Sequence, residues 1–186
     1  MNLRKLILVN NACYKAGRNI VPRGIMVHST GVNTPNLRHY VGPDDGLLGR
    51  HDNHWNQNRP DGRKVCVHGF VGRLADGSIA TYQTLPWNHR GWHAGGEANN
   101  THIGFEICED DLSDGAYFQA VYREAAELCA HLCRLYNLSE KDIIGHYEGH
   151  RLGIASGHKD PEYWFFKYGK SMDAFRGKVG ELLGNY

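Results

Sequence analysis

Two histidines and an aspartate are candidate metal ligands in this sequence. His28 follows the apolar run "GIMV", and His146 and Asp160 lie near the two ends of "GHYEGHRLGIASGHKDP", residues 145–161. Two neutral imidazoles and one carboxylate fill three positions of a four-coordinate Zn²⁺ and leave the fourth for water, the arrangement that a hydrolytic zinc needs. The ion lowers the pKa of that water toward ~7 and polarises a bound carbonyl group. The three residues therefore predict a zinc site for hydrolysis.

Two of these ligands also have ordinary structural interpretations. His28 can be a hydrogen-bonded residue at the end of a strand. Asp160, which precedes Pro161, is a favourable N-cap for a helix over "PEYWFFKYG". Spacing alone leaves these alternatives open.

A second metal pattern lies within "HYEGH", where His146 and His150 are four residues apart, as in the H-E-x-x-H zinc proteases. The pattern differs from that motif because Glu148 stands two residues after the first histidine instead of directly after it. Gly145 and Gly149 also disfavour the helix that the motif requires. We therefore expect His150 to lie at the surface, or to contact a metal ligand without binding the metal itself.

Glu106 is the candidate general base. It stands in the apolar segment "HIGFEIC", where a carboxylate loses water on at least one side, and this raises its pKa unless the group is paired. A glutamate with a raised pKa near a zinc-bound water is a suitable general base. The alternative is a glutamate on a solvent-facing part of the strand, near Glu109 and Asp110.

Further candidates lie on two loops. His158 stands two residues before Asp160, so it is placed to donate a hydrogen bond to the oxyanion that forms when water attacks a carbonyl group; the alternative is a plain loop histidine. Trp92, His93 and Asn100 lie in the glycine-rich segment "GWHAGGEANN". They predict a lip that binds sugar or peptide, although the glycines also suit ordinary turns.

Length and charge narrow the class of protein. A chain of 186 residues is long enough to bury a core, and we expect a single domain over residues 1–186. The 21 Lys and Arg residues nearly balance the 20 Asp and Glu residues, for a net charge of +1, so a nucleic-acid partner is not expected. No stretch is long and apolar enough for a membrane span. The 12 histidines raise the expectation of a metal or proton-transfer site.

The five cysteines, at positions 13, 66, 108, 129 and 133, predict reduced thiols. None forms a C-x-x-C pair, and an odd number is unfavourable for a disulfide framework. Reduced thiols suit synthesis in a cytosol. The apolar run in "MNLRKLILVNN" is too short for a signal-peptide core, so we expect a protein made in the cytoplasm without an export signal of its own.

The hydrophobic pattern predicts a mixed α/β fold with a central sheet flanked by helices. The segment "GIMVHSTG" predicts a buried strand with the first candidate ligand at its C-terminal end. "KVCVHGFVGRL" and "SIATYQTL" predict a β-hairpin, and "DIIGH" predicts a short strand that ends at the second candidate ligand. "THIGFEIC" predicts a strand with Glu106 on one face and three apolar residues on the other: Ile103, Phe105 and Ile107.

Two amphipathic helices and one long loop complete the pattern. The segment "GAYFQAVYREAAELCAHLCRLYN" predicts a core-packing helix with Cys129 and Cys133 buried and an apolar stripe through Val121, Ala125, Leu128, Leu132 and Leu135. "SMDAFRGKVGELL" predicts a last helix through Met172, Phe175, Val179 and Leu182. Residues 31–62, rich in Gly, Asn, Asp and Pro, predict a long loop that contains one short helix. Long ordered loops are often functional.

Three segments together resemble a known family: "IMVHST", "WHAGGEANNTHIGFEIC" and "IIGHYEGHRLGIASGHKDP". They are similar to the zinc-dependent N-acetylmuramoyl-L-alanine amidases, the type shared by phage endolysins, bacterial muropeptide amidases and peptidoglycan recognition proteins. The segments occur in the family's order. The resemblance implies a central mixed β-sheet with flanking helices and a zinc ion in a surface groove. It also implies hydrolysis of the amide between N-acetylmuramic acid and the L-alanine of the stem peptide.

The resemblance implies roles for single residues. His28, His146 and Asp160 match the zinc ligands, and Asp160 stands at a position that other members fill with Asp or Cys. Glu106 matches the catalytic glutamate of the bacterial and phage branch. His93 matches a family histidine near the substrate.

The sequence departs from the family pattern at two positions. His158 stands where many members carry a lysine that stabilises the tetrahedral intermediate, and because a histidine is cationic only part of the time near neutral pH, we expect activity to fall as pH rises. Val67 stands where some phage and animal members have a catalytic tyrosine. We expect Glu106 to substitute for that tyrosine and His68 to line the cleft.

Within the family, the segment "HYEGHRLGIASGHKDPEYWFFKYGKSMDAFR" most resembles endolysin catalytic domains from phages of Gram-positive hosts. We therefore expect an endolysin that acts on the peptidoglycan of the cell wall after release, with no separate wall-binding domain in this chain. One alternative is a cytosolic muropeptide-recycling amidase. Another is a non-catalytic peptidoglycan-binding module, which tends to lose a ligand, whereas all three ligands and Glu106 are present here.

Overall fold

The computed structural model describes residues 1–51 and 54–184. One six-stranded sheet is built from β1 (Leu3–Lys5), β2 (Gly24–Asn33), β3 (Gly69–Arg73), β4 (Ile79–Gln83), β5 (His102–Glu109) and β6 (Ile143–Gly145). The strands lie in the order β1-β4-β3-β5-β2-β6. The β3 and β4 strands form the predicted antiparallel hairpin, whereas the other neighbours pair in parallel. The predicted mixed sheet is therefore confirmed.

Five helices accompany this sheet in the described part of the chain. They are α1 (Ala12–Ala16), α2 (Gly115–Tyr136), α3 (His146–Arg151), α4 (Glu162–Lys167) and α5 (Met172–Leu183). As predicted, α5 buries Met172, Phe175 and Val179, and Leu182 packs against the same core. No helix in the described ranges combines the length and the apolar content needed to span a bilayer.

The alternation of side chains along β2 and β5 places the candidate site. One face of these strands packs on α2, α4 and α5 through the fully buried residues Ile25, Val27, Ile103, Phe105 and Ile107. Because side chains alternate along a strand, the intervening residues point to the opposite face. His28 and Glu106 are direct partners in the β2/β5 register. The candidate ligand and the candidate base are therefore neighbours on the sheet face that lies away from these helices.

Strand β2 is longer than the sequence predicted. It continues to Asn33, with an irregular register between Ser29 and Asn33. His28 consequently lies within the strand and not at its C-terminal end. His28 pairs with Glu106 of β5, and the preceding Val27 pairs with Gly145 of β6, so strands on both sides fix the backbone that leads to His28.

Helix α2 packs its apolar stripe on the core. The Asp114 side chain caps its N-terminus, and Asn137 follows its last turn in the left-handed conformation with φ 55°. The predicted stripe is buried as far as Leu132, but Leu135 is 54% exposed, so that prediction is wrong. Tyr136, four residues after Leu132, packs against the core instead, because the buried face of this helix continues at i+4.

Two of the cysteines differ from their prediction. Cys13 and Cys66 form a disulfide across 53 residues, so the prediction of reduced thiols is wrong for this pair. Helix α1 brings Cys13 against the segment that precedes β3, a proximity that cysteine spacing does not reveal. Cys108, Cys129 and Cys133 are free and buried, as expected for small core residues.

The loop over residues 31–62 covers part of the sheet face that carries His28. It contains two single helical turns, Leu37–His39 and Pro60–Gly62, where one was predicted. Residues 52 and 53 of the predicted loop lie outside the described residues. Apolar side chains anchor the loop on this face of the sheet, in a cluster that includes Leu37, Tyr40, Val41, Leu48 and Phe70.

Asn11 connects the N-terminal segment to the far part of this loop. Its side chain is buried, and Nδ2 donates hydrogen bonds to the carbonyl oxygens of Trp55 and Val65, at 3.1 and 3.0 Å. Its Oδ1 accepts from the backbone N–H of Cys13 at 2.9 Å. The Asn11 side chain thus forms hydrogen bonds with backbone groups of three segments.

Replacing Asn11 with alanine is expected to lower the free energy of unfolding by about 1–3 kcal/mol, because polar backbone groups lose their partner while they remain largely buried. Denaturant unfolding of the purified protein measures this change. Asn10→Ala is the matched control, since Asn10 is exposed, and its effect should stay within about 0.5 kcal/mol. Equal effects of the two substitutions would contradict the bridging role.

Candidate active site

Three different elements bring the candidate ligands together. His28 lies on β2, and His146 is the first residue of α3, directly after Gly145 of β6, which pairs with Val27. Asp160 lies in the turn before α4. His28, His146 and Asp160 are 1%, 3% and 8% exposed, and their ligand atoms lie within 4.8 Å of one another.

Two imidazole nitrogens and a carboxylate converge on one point. Nδ1 of His28 lies 3.0 Å from Nδ1 of His146 and 3.1 Å from Oδ2 of Asp160. Nδ1 of His146 lies 3.6 Å from Oδ1 of Asp160. Asp160 does not cap a helix, because α4 has Pro161 as its N-cap residue and no side-chain cap bond. The donor set is the one that zinc prefers in hydrolytic sites.

The outward nitrogens of both imidazoles have their own partners. His28 Nε2 lies 2.9 Å from Nδ1 of His93, and His93 Nε2 lies 3.2 Å from the carbonyl oxygen of His102. Since a carbonyl oxygen only accepts, His93 carries its proton on Nε2 and accepts from His28 Nε2–H. His146 Nε2 lies 3.3 Å from Oγ of Ser156. These contacts orient the rings and leave both Nδ1 atoms facing Asp160.

The electrostatics of the three groups favour a bound positive charge. Burial lowers the pKa of His28, but the hydrogen bond to Asp160 and the charges of Glu106 and Asp160 outweigh it, so the pKa is raised. Burial and the charge of His28 lower the pKa of His146 to about 4. Burial raises the pKa of Asp160, yet the hydrogen bond and charge of His28 hold it below its ordinary value. The negative charge of Asp160 thus stabilises positive charge at the point where a cation would bind.

Glu106 lies beside this cluster and has the expected raised pKa. Its Oε2 is buried and has no hydrogen-bond partner among the described residues. Burial raises its pKa to about 7, with smaller upward contributions from the charges of Asp160 and Glu109 and a downward one from His28. Glu109 differs, because it accepts hydrogen bonds from Tyr163 and from the Gly31 N–H. The alternative of a solvent-facing Glu106 is therefore not realised.

The cluster and Glu106 open into one groove of about 1020 Å³. Trp92 and His93 line this groove, as does His158. The His158 side chain is 59% exposed, and its Nδ1 lies 3.9 Å from Oδ1 of Asp160. Its ring stacks on that of His146 with centroids 4.6 Å apart. The groove thus holds three candidate ligands, a carboxylate with a raised pKa and an exposed imidazole.

This arrangement agrees with a sequence comparison. The model of one protein family, described as N-acetylmuramoyl-L-alanine amidase, matches residues 17–163, which include every candidate ligand and Glu106. The chain belongs to this family.

Several relatives of this amidase family are similar to the chain. A probable N-acetylmuramoyl-L-alanine amidase of Bacillus licheniformis is 38% identical over 135 residues, which cover 67% of this chain and 34% of the relative. The catalytic domain of XlyA, an amidase of Bacillus subtilis, has a TM-score of 0.62 and 26% identity, and the match covers 97% of this chain and 100% of that one. A mutant endolysin from Bacillus subtilis has a TM-score of 0.60 and 27% identity, with 97% and 99% covered. The chain spans about a third or less of the length of the curated relatives.

Two candidates from the sequence lie away from the groove that contains the His-His-Asp cluster. His68 is fully buried: its Nε2–H donates to the carbonyl oxygen of His89 at 2.7 Å, and its Nδ1 accepts from the backbone N–H of Gly104 at 3.0 Å. The expectation that His68 lines the cleft is corrected, because the backbone occupies both ring nitrogens. Asn100 is likewise not among the described residues that line the groove. It accepts a hydrogen bond from Arg90, which stacks on Trp92, so Asn100 contacts the lip only through Arg90.

The "HYEGH" segment forms the helix that the sequence disfavoured. Gly145 N–H donates to Oε2 of Glu148 at 2.9 Å, and Arg176 pairs with the same carboxylate at 2.8 Å. These contacts stabilise α3 despite its glycines. His150 is exposed and lies outside the ligand cluster, so its predicted surface position is confirmed and the protease pattern is not formed.

Other groove residues had no recognisable sequence signal. Ser156 holds the outer nitrogen of His146, and Tyr40 and Trp55 line the wall formed by the long loop. Arg59, Arg63, Lys64 and Lys159 add positive charge to the groove. The positions of Tyr40, Trp55 and Arg59 depend on how the long loop folds back over the sheet, which neither periodicity nor a motif encodes.

Proposed function

We propose that the chain hydrolyses the amide between N-acetylmuramic acid and the L-alanine of peptidoglycan, with a zinc ion held by His28, His146 and Asp160. One observation carries this proposal: a buried His-His-Asp cluster lies beside Glu106, a carboxylate with no partner among the described residues and a pKa of about 7, in the same groove. Membership of the amidase family supports the choice of bond.

The chemistry of the donors supports zinc as the ion. Imidazole nitrogens with one carboxylate form the three-ligand set of hydrolytic zinc sites. Bound zinc supplies a Lewis acid that polarises the amide carbonyl and acidifies water. His28 Nε2–H donates a hydrogen bond to His93, and His146 Nε2–H donates one to Oγ of Ser156, whose own hydroxyl donates to the Ala94 carbonyl oxygen. These bonds keep the ligating nitrogens turned inward.

Glu106 moves the proton in the proposed reaction. Its carboxylate accepts a proton from the attacking water as the water oxygen bonds to the carbonyl carbon. The same carboxyl group then donates that proton to the nitrogen of L-alanine as the carbon–nitrogen bond breaks. The products are a free lactyl carboxyl group and a free amine, so atoms and charge balance. Burial raises the pKa of this carboxyl group, which favours its acceptance of the proton from water.

His158 is proposed to stabilise the oxyanion. Its exposed ring lies over the ligand cluster, where it can donate a hydrogen bond to the carbonyl oxygen as negative charge develops. We expect His158→Ala to lower kcat by about 10- to 100-fold, less than the loss of an enclosed oxyanion donor because water partly replaces an exposed one. Steady-state hydrolysis of a soluble muramoyl peptide measures this effect.

Two further variants complete this experiment. His158→Lys should retain activity to higher pH than the wild type, because a lysine stays cationic over a wider pH range. His150→Ala is the matched control: His150 is exposed on α3 and touches no ligand, so its removal should change kcat less than twofold, roughly the limit for a site without function. A large loss in His150→Ala would support the protease pattern instead.

The proposed biological role is that of an endolysin. The likeness to an endolysin from Bacillus subtilis, at 27% identity over nearly the whole chain, supports this choice over muropeptide recycling. An endolysin should clear suspensions of wall sacculi, whereas a recycling amidase should act mainly on soluble fragments. A protein that cleaves only fragments would contradict the endolysin role and leave the amidase reaction in place.

Digestion of purified cell walls tests the reaction itself. The proposal requires new L-alanine amines beside intact muramic acid, with loss of activity in chelator and its return with added Zn²⁺. New reducing sugar ends would instead indicate a glycosidase. Failure of the metal-loaded protein to release any amine would overturn the proposal.

A further inference from the structure

The groove carries an excess of positive charge that the proposed reaction does not use. Arg59, Arg63 and Lys64 line one wall of the groove, which we call the basic wall, and Lys159 lines it beside Asp160. Among the described lining residues, the acidic side chains are Glu106 and Asp160. The whole chain has a net charge of only +1, so the groove is a local concentration of cations and not part of a generally basic surface.

The charges of the catalytic cluster do not balance the basic wall. The carboxylates of Asp160 and Glu106 together compensate a divalent ion. Within the described part of the chain, none of the basic-wall side chains or Lys159 forms an ion pair. Asp61, in the turn between Arg59 and Arg63, is exposed and does not line the groove. The cationic groups are therefore available to a ligand.

Contacts with the N-terminal segment fix the backbone on both sides of the basic wall. Asn11 binds the carbonyl oxygens of Trp55 and Val65, on either side of the wall. Cys66 is bonded to Cys13 and exchanges backbone hydrogen bonds with Trp92, at 3.1 and 3.2 Å. A wall whose backbone is fixed loses less conformational entropy on binding than a free loop does.

We propose that the basic wall binds a free carboxylate on the stem peptide and thereby selects substrates in which that group is not converted to an amide. This inference rests on the proposed amidase function. The glycan near the scissile bond is uncharged, because its lactyl carboxyl group is part of the amide, whereas the stem peptide carries further carboxyl groups. Guanidinium groups suit carboxylates, since they form paired, charge-assisted hydrogen bonds. The peptide arm of the substrate therefore lies along the basic wall.

A pair of soluble substrates tests this inference. Two muramoyl peptides are compared that differ only in the second stem residue, a glutamate with a free carboxyl group or its carboxamide. The wild type should favour the free acid in kcat/KM by about tenfold. Arg59→Gln/Arg63→Gln should reduce this preference to less than about twofold, because kcat/KM for the acid falls by a much larger factor than kcat/KM for the amide.

A matched variant removes two charges elsewhere. Arg123 and Lys141 are exposed and lie outside the groove, so Arg123→Gln/Lys141→Gln should keep the wild-type preference. Zinc content and unfolding temperature of each variant establish that the exposed substitutions leave the fold intact.

Each other outcome overturns the inference. Equal kcat/KM of the wild type for acid and amide would exclude selection by the basic wall while leaving the amidase function in place. An equal loss on both substrates in Arg59→Gln/Arg63→Gln would mean that the wall contacts a part common to both. An effect seen only with intact walls, and absent after removal of their phosphate polymers, would assign the basic wall to those polymers. Hydrolysis of neither substrate by the wild type would overturn the proposed function itself.

Discussion

Replacing Glu106 with glutamine is expected to lower kcat for amide hydrolysis by about 10²–10⁴-fold, the usual contribution of a general acid–base group. Glutamine has nearly the same shape but cannot accept the proton of the attacking water. Glu106 is not one of the three ligands, so the variant should bind one zinc ion as the wild type does. Steady-state kinetics with a soluble muramoyl peptide, together with metal analysis of the same sample, measures both quantities.

The same substitution should stabilise the metal-free protein at high pH. Burial raises the pKa of Glu106 from 4.5 to about 7, so the folded state binds this proton more tightly than the unfolded state does. The stability of the metal-free wild type therefore falls as pH rises from about 4.5 through about 7, by up to roughly 3 kcal/mol from this group. Glutamine does not titrate, so this part of the pH dependence should disappear from the variant.

Comparison of unfolding free energies at pH 5 and pH 8 isolates the contribution of Glu106. Glu162, whose pKa is also raised to about 7 by burial, contributes to the pH dependence of both proteins and cancels in the difference between them. Glu181→Gln is the control, because Glu181 is an exposed carboxylate of α5. If Glu106→Gln kept a substantial kcat, or kept the pH dependence of stability of the wild type, Glu106 would not be the general base.

The position of this base was predictable because strand geometry is local. A single polar residue in "HIGFEIC" must point away from Ile103, Phe105 and Ile107, and the alternation of β5 places it accordingly. Two buried parallel strands then bring Glu106 and His28 side by side. Alternation and burial, both readable from the sequence, thus determine the face on which each of the two side chains lies, whereas the pairing of β2 with β5 is itself a contact between distant segments.

The remaining parts of the site depend on contacts between distant segments. The disulfide between Cys13 and Cys66 and the bridge made by Asn11 arise because α1 packs beneath the long loop. His68 illustrates the same limit, because its place beside the predicted hairpin is visible in the sequence but the backbone groups that bind its ring nitrogens are not. Neither spacing nor composition encodes such contacts.

Local propensity also gave way to tertiary contacts in α3. Two glycines argued against this helix, yet Glu148 binds both the Gly145 N–H at its start and Arg176 of α5. Gly145 is the N-cap residue, where glycine is tolerated, so only Gly149 lies within the helix. Its weak local preference, about 1 kcal/mol, is smaller than the combined effect of a capping bond and a charge-assisted pair. The helix in turn fixes His146, so α5 supports the ligand cluster from outside the groove.

Replacing Asp160 with alanine is expected to weaken zinc binding by about 10³-fold or more, because the proposed site loses one of its three candidate ligands and the negative charge that would favour the ion. In the wild type, zinc at 100 times its Kd should raise the free energy of unfolding by about 2.7 kcal/mol. In Asp160→Ala the same zinc concentration should raise the free energy of unfolding far less. Calorimetric titration and thermal unfolding with and without zinc measure the two effects.

The loss of zinc affinity should be largest when a candidate ligand is replaced and smaller when only a neighbour of a ligand is replaced. His93→Ala removes only the partner of the outer nitrogen of His28, so zinc binding should weaken by about 10–100-fold, less than in Asp160→Ala. Asp111→Ala is the control, since Asp111 is exposed and outside the cluster, and it should leave the affinity unchanged. Asp160→Ala with wild-type affinity, or an order in which His93→Ala has the larger effect, would mean that the carboxylate is not a ligand. This order tests the geometry of the site, because each expected loss of zinc affinity follows from one contact. Asp160 offers a carboxylate oxygen to the ion, whereas His93 contacts only the outer nitrogen of His28.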